Sequence, residues 1–342
     1  MKKIIIIGAG AMGSAFGVPC LDNKNDVTIV GTHLEDELIE NINSNNHIHP
    51  ALKTKLPKEI KFERFEKLQT ILKENIDILV CGVSSIGIEW FVKQISINYK
   101  NKLPIVLLTK GLSIVDNELT TLSDKIKNLL IKEGHSEINI SAIKGPCLAA
   151  GLAKKMRTGT VIANQNIKES QFLKDIISTN YYSTEISEDI MGVELSGAIK
   201  NIYSMLIGAS EGLSNSKASK EIQSKYFLNT AASLIHRSIS EMVEFISYYG
   251  GKPETVYGLA GLGDLYVSAI GGRNSLMGKY LGEGYLYSDA KDKFMKDITV
   301  EGAQLALEIG PRILKDLNSK NFPLMFSMLK TICENKKLQI DW

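Results

Sequence analysis

Hydrophobic positions follow one rhythm in the first half of the chain and another in the second. Residues 2–7 form a short β-branched run that stops at Gly8, the pattern of a strand buried on both faces. A helix is predicted over 14–21 and a second strand over 26–30. Apolar runs at 76–82, 104–109 and 138–143 predict further strands, and 159–163 and 181–186 two shorter ones. Helical segments lie between most of these. That βα alternation predicts a mostly parallel, doubly wound α/β domain of the Rossmann type over 1–187. After about Ser187 the strand pattern stops. Helical spacing replaces it, as at Leu195, Ile199, Ile202 and Leu206, and along 221–249, which ends at Gly250-Gly251. Residues 188–342 are therefore expected to form an all-α domain. The Asn-rich stretch 41–46 reads as a loop.

Chemistry enters first at the glycines. Gly8-Ala9-Gly10-Ala11-Met12-Gly13 lies between a predicted strand and a predicted helix. In that setting the first glycine allows a tight turn and the second lets backbone approach a pyrophosphate. The third lets helix and strand pack closely, and N–H groups at the helix start receive the anion. The second strand ends at Gly31-Thr32-His33, where the ribose 2′ group is read. No acidic residue closes that strand; Glu35 and Asp36 read as the start of the next helix. Thr32 and His33 are the candidate contacts there. His33 could face a 2′-phosphate or be a plain exposed loop residue, so NAD and NADP both stay open. NADPH is expected to be accepted at least as well as by a strict NAD enzyme.

Ligands of such sheets lie at the carboxyl ends of the strands, where Lys110, Gly145 and Cys147 fall. In the helical half, Lys200 is bordered on its N-terminal side by Ser196 and Gly197, which leaves room against its ammonium group. Burial lowers a lysine's pKa, so a lysine in such a place can exchange protons near neutral pH. A snorkelling surface lysine fits the same window. Gly258, Gly261, Gly263, Gly271 and Gly272 crowd one segment around Asp264 and Ser268. So many glycines suit a backbone that approaches a ligand or another element. Gly272-Arg273-Asn274 offers a guanidinium fork and an amide, which suit a phosphate, though a glycine loop with a solvated arginine fits as well.

Composition narrows the classes. The chain has 342 residues, enough for two cores, with 44% hydrophobic and 23% charged residues. A net charge of +2 gives no field favouring nucleic acid or an anionic membrane. Cys20, Cys81, Cys147 and Cys333 stand far apart, so neither a zinc site nor a disulfide framework is expected, and a reduced cytoplasmic setting is. The apolar run at the start is too short for a membrane span, and neither a signal cleavage pattern nor a lipidation motif is read.

Taken jointly, these segments resemble the NAD(P)-dependent glycerol-3-phosphate dehydrogenase family almost end to end. The resemblance rests on the GxGxxG turn, Thr109-Lys110-Gly111, Gly145-Pro146, Val193-Glu194-Leu195 with Ala198-Ile199-Lys200-Asn201, Gly261-Leu262-Gly263-Asp264-Leu265, Gly271-Gly272-Arg273-Asn274 and Val300-Glu301-Gly302. It implies reversible hydride transfer between NAD or NADP and dihydroxyacetone phosphate, giving sn-glycerol 3-phosphate for glycerophospholipid synthesis. It also implies a cytoplasmic homodimer without nucleic-acid partners or stable membrane insertion. The resemblance makes Lys200 the catalytic lysine, Asp264 the carboxylate beside it, and Lys110 the lysine near substrate and nicotinamide. Arg273 and Asn274 match the pair that holds the substrate phosphate, with Arg273 also approaching the cofactor. Asn201, Ser268, Gly145 and Cys147 fall at substrate positions. Gly8, Gly10, Ala11, Met12, Gly13, Thr32, His33, Lys110, Ala149 and Glu301 fall at cofactor positions. Two departures stand out: Cys147 replaces a small hydroxyl residue or alanine, and Ala231 stands where the family often has lysine. The short spacing from Asp264 to Arg273 is similar to eukaryotic and archaeal members. Two other readings share parts of the pattern: a related two-domain reductase of a 2-ketoacid or hydroxy acid, and a dinucleotide-sensing protein without turnover. The sensor would not need Lys200 and Asp264 together.

Overall fold

The computed structural model describes residues 1–100, 102–215 and 227–340. The chain divides into two compact units, one of residues 1–110 with 122–190 and one of residues 111–121 with 191–342.

The first unit is built on an eight-stranded sheet in the order Tyr182–Ser187, Thr158–Ala163, Asn139–Lys144, Pro104–Leu107, Ile78–Cys81, Lys3–Ile7, Asp26–Val30, Lys61–Glu63. Every neighbouring pair is parallel except Asn139–Lys144 with Thr158–Ala163. The run of four isoleucines in Lys3–Ile7 follows from this placement. Ile4 and Ile6 enter a core with Phe16, Val27 and Ile29 on one face, while Ile5 and Ile7 enter a core with Leu79, Cys81 and Phe91 on the other. A central strand covered on both faces has no polar side to show, so the two-residue alternation disappears from the sequence. The strand expectations hold to within two residues at each end.

Three short pieces escaped the pattern: the pair Ile48–His49 and Thr54–Lys55, the edge strand Lys61–Glu63, and the hairpin of Leu112–Val115 with Glu118–Thr121. Each is short and partly exposed, so none shows the continuous apolar run that marks the central strands. The third did carry a local signal. Its two-residue connection, Asp116-Asn117, has φ of 51° and 64°, the left-handed pair that a tight hairpin requires. This hairpin groups with the helical unit, where Leu112 is fully buried in the core.

The second unit contains the helices Ile190–Asn215, Phe227–Tyr248, Asp264–Gly271, Arg273–Gly282, Tyr287–Phe294, Glu301–Asp316 and Pro323–Cys333. The helix expected from 221 is described only from Phe227; its first six positions lie outside the described residues. Among the described residues no helix is long and apolar enough to cross a membrane.

Two helices of this unit touch backbone to backbone. A Cβ at Gly278 or Gly282 of Arg273–Gly282 would run into the carbonyl oxygens of Met205 or Ala209, and one at Gly208 into that of Ser275. Glycine on both partners removes the side-chain layer, and the start of Arg273–Gly282 is thereby held against the Ile190–Asn215 helix. Gly278→Ala is expected to lower stability by about 1–3 kcal/mol, because the obstacle is main chain and cannot rotate aside. Gly271→Ala, with nothing within 4 Å of the added atom, is the control and should unfold close to wild type in a thermal melt. Equal melting of the two variants would contradict this account of the contact.

Glu241 braces the same long helix from inside. Its buried carboxylate accepts from Tyr203 Oη at 3.1 Å and from the Leu324 and Met325 N–H groups at 2.8 and 2.9 Å. Burial pushes this carboxyl above the usual Glu range, and the three donors oppose that rise.

Candidate functional site

In the first unit the candidate residues collect at the carboxyl ends of the parallel strands. The chain leaves Lys3–Ile7 through Gly8, whose φ of +110° lies in the region L side chains avoid. A Cβ there would stand 2.8 Å from the Gly82 carbonyl group, and one at Gly13 would strike the Gly8 oxygen. The helix Ala11–Asp22 is thus seated directly on the turn. At Gly10 a Cβ would meet only Glu35 Oε1 at 3.8 Å, so this side of the turn is open to an approaching group. No side chain caps the helix, and its first turn carries no acidic residue. Open backbone at an uncapped helix start is what a pyrophosphate needs, so Gly8, Gly10, Ala11, Met12 and Gly13 fit a dinucleotide.

Thr32 and His33 follow the second strand. The His33 ring is exposed and lies 5.3 Å from the Trp90 ring and 6.1 Å from that of Phe65. The residue that reaches the glycine turn is another one. Glu35 immediately precedes the helix Asp36–Ser44 without a side-chain bond to it, and its Oε2 accepts instead from Ala9 N at 3.0 Å and Thr32 N at 2.8 Å. Sequence reading placed Glu35 at the helix start and missed this reach. The signal was its position four residues beyond Gly31, close enough for a long side chain to fold back.

Lys110 follows Pro104–Leu107 and is half-buried, with Nζ donating to the Gly145 oxygen at a long 3.4 Å. Gly145 turns with φ of +143°, where a Cβ would lie 3.0 Å from Thr160 Cα. Its oxygen also accepts from Cys147 N at 2.8 Å, and Ala149 opens the short helix Ala149–Ala153. Lys110, Gly145, Cys147 and Ala149 are therefore brought together beyond the carboxyl ends of the neighbouring interior strands Pro104–Leu107 and Asn139–Lys144.

In the second unit Lys200 projects from the Ile190–Asn215 helix and is 3% exposed. Its ammonium donates to Asp264 Oδ1 at 2.8 Å and to Ser268 Oγ. Asp264 and Ser268 stand four residues apart on Asp264–Gly271, hence on one face. The crowded glycines before them have a structural use: a Cβ at Gly261 would strike the Val256 oxygen, so a π-helical turn over Leu259–Gly263 can close. A buried lysine paired with a carboxylate keeps its charge compensated while presenting an acid to whatever enters beside it.

Next to this pair, Asn201 Oδ1 accepts from Asn274 Nδ2 at 2.9 Å, and Asn274 Oδ1 accepts from Gly302 N at 2.8 Å. Asn274 is buried, and its carboxamide bridges two elements instead of projecting outward with Arg273. Arg273 Nη2 pairs with Glu301 Oε1 at 2.9 Å, both side chains about half exposed at 54% and 49%. The second unit thus gathers Lys200, Asn201, Asp264, Ser268, Arg273, Asn274 and Glu301. Ala231 is buried in the core of this unit. Among the described residues no cluster of His, Cys, Asp and Glu is arranged to hold a metal ion.

Comparison with known proteins identifies the family. Residues 3–170 match the family model for the NAD-dependent glycerol-3-phosphate dehydrogenase N-terminus and residues 189–340 that for its C-terminus. The NADP(+)-dependent glycerol-3-phosphate dehydrogenase of Archaeoglobus fulgidus is 33% identical over 98% of this chain and 96% of its own. The glycerol-3-phosphate dehydrogenase [NAD(P)+] of Mesoplasma florum is 31% identical over 96% and 93%. The fold is similar to that of the Plasmodium falciparum glycerol-3-phosphate dehydrogenase structure, with a TM-score of 0.82 at 20% identity, covering 98% of this chain and 92% of that one.

Proposed function

Because the chain belongs to the NAD-dependent glycerol-3-phosphate dehydrogenase family, we propose that it interconverts dihydroxyacetone phosphate and sn-glycerol 3-phosphate with NAD(H) or NADP(H). The observation that carries this reading is the buried Lys200–Asp264–Ser268 cluster. A bound nicotinamide supplies or accepts the hydride at its C4. The chain's own work is the proton. As C2 of the ketone is reduced, its oxygen gains negative charge, and the Lys200 ammonium stabilises that charge and then donates a proton to it. Asp264 and Ser268 hold the ammonium in place, and in the reverse direction neutral Lys200 takes the alcohol proton. Arg273 receives the substrate phosphate, and Asn274 sets the start of its helix through Asn201 and Gly302. Lys110, beside Gly145 and Cys147, acts near the carbonyl and the nicotinamide. Gly8, Gly10, Ala11, Met12 and Gly13 hold the pyrophosphate, with Ala149 and Glu301 as further cofactor contacts.

The dinucleotide choice follows from Glu35. A carboxylate anchored on Ala9 N and Thr32 N stands where a ribose 2′-hydroxyl would be bound and a 2′-phosphate repelled. Glu35 thus brings a carboxylate near the end of the second strand that the sequence reading did not expect, while acceptance of NADPH stays part of the proposal. Glu35→Ser is expected to raise kcat/KM for NADPH relative to NADH by about tenfold, the scale of one charge contact. An unchanged ratio would remove Glu35 from the choice.

The reading is tested by oxidation of NADH and NADPH against dihydroxyacetone phosphate, pyruvate and ketopantoate. Turnover of the phosphorylated ketone is expected. Turnover only of an unphosphorylated ketoacid would transfer the chain to the related reductases, and binding without turnover would make it a sensor. A cytoplasmic homodimer that supplies glycerophospholipid synthesis completes the proposal, with light scattering on the purified protein as the check on its oligomeric state.

A further inference from the structure

Ala9, the first variable residue of the glycine turn, is fully buried, so water cannot serve its peptide groups. Both are held by side chains from elsewhere. Its N–H donates to Glu35, and its carbonyl oxygen accepts from Ser14 Oγ at 2.9 Å and from the imidazole Nε2 of His49 at 3.0 Å. His49 is 1% exposed and sits in the small hairpin Ile48–His49 with Thr54–Lys55, 40 positions from Ala9 in the chain.

The partners of the ring fix its form. A carbonyl oxygen can only accept, so Nε2 carries the hydrogen. The other nitrogen, Nδ1, lies 3.3 Å from the backbone nitrogen of Leu52, an N–H that can only donate. Nδ1 must then offer a lone pair, and the ring is the neutral Nε2–H tautomer. The hairpin is in turn fixed from below. Leu52 and Leu56 are buried in the same core as Ala9 and Ala15, and Leu56 N and Lys53 N donate to the His47 and His49 oxygens at 2.9 Å each. A rigid insert thus places one donor on one carbonyl of the turn.

We propose that His49 is a positioning residue for dinucleotide binding: its Nε2–H holds the Ala9 carbonyl and so orients the turn whose N–H groups receive the pyrophosphate. This rests on reading Gly8 to Gly13 as the dinucleotide turn. Rotation of the Ala9 peptide would redirect the following N–H of Gly10 and the entry into the helix, so a lost donor at this carbonyl is felt at the anion position. His49, itself 1% exposed, acts through the Ala9 carbonyl.

The test compares His49→Asn and His49→Gln in the full chain. Asn keeps a polar atom within reach of Leu52 N but is too short for the Ala9 oxygen, whereas the Gln amide nitrogen can take the place of Nε2. The Kd for NADH, read by fluorescence without ketone, should weaken by about three- to tenfold in His49→Asn, the scale of one neutral hydrogen bond, and return toward wild type in His49→Gln. In steady state the KM for NADH should rise by far more than kcat falls. In the unliganded protein, amide exchange over 8–14 should quicken in His49→Asn. Unchanged NADH affinity in His49→Asn, or equal loss in both variants, overturns the inference while leaving the dinucleotide reading intact. Wild-type protein that binds neither NADH nor NADPH removes that reading and this inference with it. Nitrogen-15 histidine spectra of the wild type give a check independent of variant folding: the Nε2–H tautomer supports the proposal and the Nδ1–H tautomer overturns it.

Discussion

Lys200→Met is expected to lower kcat by about two to four orders of magnitude, the range for loss of a positioned proton donor. The Kd for NADH should hardly change, because Lys200 is assigned to the ketone oxygen and the glycine turn to the pyrophosphate. The structure adds a second consequence. Asp264 is 2% exposed and pairs with Lys200, so the substitution breaks a buried ion pair, which costs about 3–5 kcal/mol where such pairs are broken. Lower activity could then reflect lower stability alone. The double variant Lys200→Met with Asp264→Asn separates the two effects: it should melt nearer to wild type yet remain as slow as the single variant. Hydride transfer at the wild-type rate in stopped flow, in either variant, would remove Lys200 from the mechanism.

Arg273→Ala is expected to lower kcat/KM for dihydroxyacetone phosphate by roughly ten- to a hundredfold, since a charge-assisted phosphate contact contributes about 1.5–3 kcal/mol. Part of the loss should fall on kcat, because binding of the remote phosphate also orients the reacting carbon. The pairing of Arg273 with Glu301 does not prevent this. Both groups are about half exposed, and such a pair contributes at most about 1 kcal/mol, less than a phosphate offers. Arg273→Lys keeps the charge without the fork and should fall between wild type and Arg273→Ala. Dihydroxyacetone is the control substrate. Equal loss on both ketones would make Arg273 a cofactor or structural residue and end its assignment to the phosphate.

The parts of this molecule that were legible in the sequence are those where one physical constraint dominates a whole segment. Ile4 to Ile7 announce a strand covered on both faces, because nothing polar survives there. The spacing of Leu195, Ile199, Ile202 and Leu206 announces the helix that carries Lys200, and all four are buried on it. The glycines of the turn were legible for the same reason: Gly8 and Gly13 have no room for a Cβ. What escaped were single side chains that return across long chain separations. Glu35 reaching Ala9, His49 reaching Ala9 from a two-residue strand, and Asn274 bridging Asn201 to Gly302 leave no periodic trace, and of the stretch 41–46 expected as a loop the first four residues belong instead to the helix Asp36–Ser44. The Leu112–Thr121 hairpin was missed because its strands mix polar with apolar residues and are only partly buried, unlike the equally short apolar strands Ile78–Cys81 and Pro104–Leu107, although its Asp116-Asn117 turn was visible.

The account comes down to a hydride delivered to C2 of a phosphorylated ketone. Reduction of dihydroxyacetone phosphate with NADH deuterated at nicotinamide C4, followed by mass analysis and chiral assay of the product, tests this directly. The account predicts deuterium at C2 of sn-glycerol 3-phosphate. Dinucleotide that stays reduced in the presence of this ketone, or a label that appears only in an unphosphorylated hydroxy acid, would contradict it.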